Sequence, residues 1–106
     1  MRLHGLLVYA SLTGFLVAII PSPSHAQSLA ERYESTWRTD FHTGITQALI
    51  ANNVRGCGEY KYRESRTDKG EYLVYCTQAG KTWTAYLVWA SIKKIMGPYP
   101  PDPSIK

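Results

Sequence analysis

Apolar side chains recur at every fourth position through Leu29, Tyr33, Trp37, Phe41, Ile45 and Leu49, with hydroxyls and charges between them. This spacing predicts helix from Ser28 to Asn53. A strict repeat of four drifts by about 40° per step around a helix of 3.6 residues per turn, which disfavours one straight helix packed along its whole length. Thr43 and Gly44 offer the place for a break, and Asp40 or Thr43 is positioned to cap a second segment. Asn52 and Asn53 suit its end, because Asn tolerates left-handed backbone there.

Past Arg55 and Gly56 the period becomes two. Segments 57–64, 71–77 and 81–89 are rich in Tyr, Val, Thr and Trp, and turn residues separate them, which predicts an antiparallel meander. Gln78, Ala79 and Gly80 fit a three-residue hairpin with Gly80 left-handed and Thr77 opposite Lys81. Ile95 and Met96 form a candidate fourth strand after a turn through residues 91–94. From Gly97 onward, Pro98, Pro100, Pro101 and Pro103 suggest an extended tail.

The chain's start bounds where the rest works. Arg2 and His4 precede an uncharged apolar run from Gly5 to Ile20, broken by Pro21 and Pro23, with small residues at Ser24 and Ala26. This reads as a cleavable signal peptide over residues 1–26. The run is shorter than the roughly 20 apolar residues of a spanning helix, so no membrane anchor is expected after cleavage. A mature product starting at Gln27 would be periplasmic or secreted. It has 80 of the 106 residues, enough for one domain, read here as residues 27–97 followed by a tail over 98–106.

An oxidising compartment permits Cys57 and Cys76 to pair as a structural disulfide. Placing Cys57 directly opposite Cys76 sets the register of the first hairpin. Tyr60, Tyr62, Leu73, Tyr75, Trp83, Ala85, Leu87 and Trp89 then share one nearly all-apolar face. A slip by one residue would push Glu59, Lys61 and Arg63 into those aromatics. A competing turn at Asp68, Lys69 and Gly70 would separate the cysteines. The expected fold class is α+β, with an N-terminal helix, broken near Gly44, packed on a three- to four-stranded antiparallel meander.

Candidate chemistry is sparse. The mature chain carries 11 basic and 8 acidic side chains, interleaved rather than clustered, which gives no nucleic-acid footprint. The two cysteines lack zinc-site or C-x-x-C spacing. No phosphate loop or metal-ligand cluster is present, so no cofactor is expected. His42 has no nucleophile placed beside it, and pairing any of Glu31, Glu34, Glu59, Glu64 and Glu71 as an acid/base couple is arbitrary. The sharper expectation is a binding face on the outer side of the sheet, where Lys61, Tyr72 and Tyr86 fall in one cross-strand row. An aromatic row edged by a cation suits a sugar ring or a protein partner. The leading expectation is thus a non-enzymatic binding or accessory module with an envelope or extracellular protein as partner. The alternatives are a small envelope glycan-active hydrolase using a carboxylate, or a structural or stress protein without a discrete site.

Overall fold

The segments of period two become four antiparallel strands in the order β1-β2-β3-β4: β1 Glu59–Glu64, β2 Glu71–Thr77, β3 Thr84–Trp89 and β4 Lys94–Tyr99. The computed structural model describes residues 27–106, so the expected signal peptide lies outside the described residues. Two short helices complete a mixed α+β fold: α1, the single turn Leu29–Arg32, and α2, Thr43–Ala51. None of the described helices is long and apolar enough to cross a membrane.

The fourfold apolar spacing does not make one helix. Ser28 opens α1 with a capping box, its hydroxyl accepting from Glu31 N–H while the Glu31 carboxylate accepts from Ser28 N–H. The chain then runs extended beside β1. Arg38 and Tyr62 exchange backbone hydrogen bonds at 2.9 and 3.0 Å, and Glu34 N–H donates to Glu64 O at 3.0 Å. A continuous helix would leave these edge groups of β1 without protein partners, whereas the extended segment pairs them. It also carries the chain from one face of the sheet to the other. Tyr33 is buried against one face, Ile45 and Leu49 against the opposite one, and Phe41 between them is exposed. The break falls before Thr43, with His42 as the cap in place of Asp40 or Thr43. Asn52 caps the C-terminus of α2, and Asn53 is left-handed with φ 54°, as the sequence suggests.

The β1–β2 register differs from the one set by facing cysteines. Tyr60 pairs with Cys76, Lys61 with Tyr75 and Arg63 with Leu73. Cys57 lies before β1 and still forms the disulfide with Cys76, at S–S 2.05 Å, because the entry to the strand curls back over its partner. The β2–β3 pairs are shifted by two residues from expectation, with Cys76 opposite Thr84, so the faces of those strands are kept. Gly80 is left-handed at φ 81°.

One core cluster packs Ile45, Ala48 and Leu49 of α2 on Tyr62, Tyr72, Val74, Cys76, Tyr86 and Val88. The other places Tyr33, Leu73, Tyr75 and Ala85 with Leu29, Trp37, Trp83, Leu87 and Ile105. Because both faces are covered, all seven residues of β2 are buried. A short 3-10 turn, Ala90–Ile92, leads into β4, whose residues include Pro98 and Tyr99 from the expected tail. At Gly97 a Cβ would meet Ala85 O at 2.9 Å, so only glycine lets β4 approach β3 so closely there.

Candidate functional site

The row of Lys61, Tyr72 and Tyr86 does not exist. Tyr72 and Tyr86 lie under α2, 7% and 9% exposed, while Lys61 points to the opposite face beside Tyr75. Two causes act: α2 packs on the sheet face expected to be the outer one, which buries Tyr72 and Tyr86, and the β1 register reverses the faces of the β1 side chains relative to β2, which moves Lys61.

The face that Lys61 does join has a different aromatic set. Its ammonium lies 4.6 Å from the Trp37 ring centre, 4.4 Å from that of Trp83 and 5.9 Å from that of Tyr75. Two residues along β1, the Arg63 guanidinium stacks 4.2 Å from the Trp37 centroid. Cations over indole faces gain about 0.5–2 kcal/mol each, more as water is excluded. Trp37, Lys61 and Trp83 are half-buried, so they present both a hydrophobic surface and a charge to solvent.

Arg63 is 3% exposed. Its Nη1 donates to Glu34 O at 3.3 Å and its Nη2 to the main-chain oxygen of Lys106, while Nε has no hydrogen-bond partner among the described residues. Both described ion pairs lie elsewhere, Arg32 with Glu71 at 3.6 Å and Arg38 with Glu34 at 3.0 Å. Burial pulls the Arg63 pKa below its ordinary value, and the neighbouring Tyr75 opposes this. Residues 102–106 fold back over this part of the face. Asp102 N–H donates to the Tyr75 hydroxyl at 2.8 Å, and Trp37 Nε1–H donates to Lys106 O at 3.0 Å.

His42 works at the start of α2. Its Nδ1 accepts from Ile45 N–H at 3.1 Å, so the proton of the neutral ring sits on Nε2, which donates to Tyr72 Oη at 3.0 Å. The Tyr60 hydroxyl bonds His42 N–H and Thr46 Oγ1 beside it. The glutamates are spread over separate local tasks. Glu31 completes the α1 cap, Glu34 pairs with Arg38, Glu64 accepts from Gly70 N–H, and buried Glu71 accepts from the Tyr33 hydroxyl. Glu59 is exposed at the start of β1. No group of three His, Cys, Asp or Glu side chains that would hold a metal ion is found among the described residues. A cleft of about 300 Å³ opens where the end of α2 meets β4, lined by Asn53, Val54, Arg55, Tyr86, Ile95 and Pro98 among others, and Arg55 is its only charged side chain.

Buried phenols dominate the titration behaviour. Burial first, then the Asp40 carboxylate, pushes the Tyr62 pKa up to about 12. Burial likewise raises Tyr72 near Glu64, Tyr75, and Tyr33, the last by a larger amount and helped by Glu71. An unfolded tyrosine titrates near 10. The folded state therefore holds these protons more tightly, so their contribution is fully present below about pH 10 and is lost as pH rises through the folded values. Tyrosinate absorbance and far-UV circular dichroism followed together above about pH 10 should show these four phenols ionising only as the fold is lost. Full ionisation near pH 10 with the dichroism intact would contradict the burial.

Trp37 and Trp83 are the functional candidates that the pattern hides, because their apolar character assigns them to core. The available signal is Lys61 and Arg63 at alternate positions of one strand, which obliges whichever face they enter to supply groups that accept cations.

The fold and site define a small, disulfide-linked α+β protein with a cation-centred aromatic face. Comparison with protein-family models, with curated proteins and with solved structures finds no match to the chain.

Proposed function

We propose that the protein is a non-enzymatic binding module, exported by a cleavable signal peptide over residues 1–26 to the periplasm or the outside of the cell, and that it binds a protein partner through the Trp37, Lys61 and Trp83 face. The observation that carries this reading is the Lys61 ammonium held between two half-buried indoles. Trp is among the side chains that most often anchor protein interfaces, and here two half-buried indoles flank one cation. The disulfide supports the export half of the reading, since such bonds persist in oxidising compartments.

The double variant Trp37→Ala with Trp83→Ala, purified with its disulfide formed and its dichroism unchanged, should lose the proteins that the wild-type chain captures from envelope extract. Capture of the same proteins by that variant would remove this face from consideration. The intact mass of the exported product should begin at Gln27 and fall about two hydrogens short of the reduced form.

A further inference from the structure

We propose that the surface under residues 100–106 is a groove for proline-containing peptides that close in a short turn, occupied in this structure by the chain's own tail. The inference rests on the binding-module reading and names its ligand class.

What holds the tail is peptide chemistry of a general kind. Ile105 contributes its apolar side chain to the cluster of Tyr33, Leu73, Tyr75 and Ala85. Asp102 offers a main-chain N–H to the Tyr75 hydroxyl, and Lys106 offers a main-chain oxygen to Trp37 and Arg63. On the groove side all three polar partners are side chains, so the tail joins without adding a strand to the sheet. The oxygen-binding end is built from a buried guanidinium whose Nε donor has no partner among the described residues. Any peptide that repeats the N–H, the aliphatic side chain and the carbonyl at this spacing satisfies the same partners.

The tail itself shows which backbone suits the groove. Pro100, Pro101 and Pro103 restrict φ before docking, which lowers the entropy lost on binding. Aromatic-lined grooves are a recurrent receptor for such segments. A short Asp102 to Ile105 turn, with Ile105 N–H donating to Asp102 O at 3.0 Å, presents the anchor residue. The attachment is also narrow: Pro100, Pro101, Pro103, Ser104 and Lys106 are exposed. An incoming peptide thus competes with a few tethered contacts, whose local concentration is on the order of millimolar for a short connection.

The probe is a synthetic peptide of residues 99–106 with both ends blocked, titrated by tryptophan fluorescence and calorimetry into the full chain and into its Ile105→Asp variant. The variant, with its tail loosened, should bind the peptide about tenfold or more tightly than the wild type. The same peptide carrying Ile105→Asp should bind neither. Equal binding of the two peptides, or no binding of the wild-type peptide to the variant, overturns the proposal. Should Ile105→Asp disturb folding, Ile105→Ala serves instead, since it removes only the tail's apolar anchor, leaves every groove side chain in place and should likewise favour the external peptide over the tail. If the peptide fails while Trp37→Ala with Trp83→Ala still abolishes partner capture, the ligand class falls and the binding face stands.

Discussion

Replacing Tyr72 and Tyr86 together by alanine should unfold the domain. Both rings lie beneath α2 in the cluster with Ile45, Ala48 and Leu49, and the Tyr72 ring packs edge-on 5.7 Å from Tyr62 and 4.8 Å from His42. Truncating one buried aromatic costs about 3–5 kcal/mol, against a total stability of about 5–15 kcal/mol for a whole domain. Tyr72→Ala also strands the Nε2–H of His42, the residue that caps the helix. A thermal scan of the double variant should show no cooperative transition. A midpoint within roughly 5 °C of the wild type, a shift of about 1 kcal/mol, would return these tyrosines to the surface.

Loss of the disulfide ranks next. Cys57 and Cys76 are 19 residues apart, and closing a loop of that length restricts the unfolded chain by about 3 kcal/mol. The bond also fixes the entry of β1 onto β2, since Cys57 precedes the first paired residue, Glu59. Cys57→Ser with Cys76→Ser, or reduction of the wild type, should lower the thermal midpoint by roughly 10–25 °C. An unchanged midpoint after verified reduction would mean that the strand pairs and two clusters suffice without the bond.

The strands, the left-handed Gly80, the cysteine pair, the end of α2 at Asn52 and the strand after Ser91 are all legible in the residue pattern, because each rests on a local rule. The faces of β1 are not. Treating Lys61 and Arg63 as residues that an aromatic face excludes selects a register that the protein does not use. Their charges lie over indole rings and the Arg63 donors reach main-chain oxygens, so the same aromatics that repel a simple hydrophobic argument are what admit them. The helix over residues 28–53 fails for a related reason. Tyr33 and Ile45 obey one period yet serve opposite faces, and only the unpaired edge of β1 explains why the chain between them is extended. Trp37 and Trp83 are not legible as site residues because their partners come from β1 and from the tail, which no local spacing brings together.

The proposed function places the protein's partner on the face centred on Lys61. A photoreactive phenylalanine analogue placed at position 83, and in a separate chain at position 50 on the exposed side of α2, tests it in intact cells. A cross-linked adduct is expected from position 83 and none from position 50. An adduct from position 50 alone would contradict it.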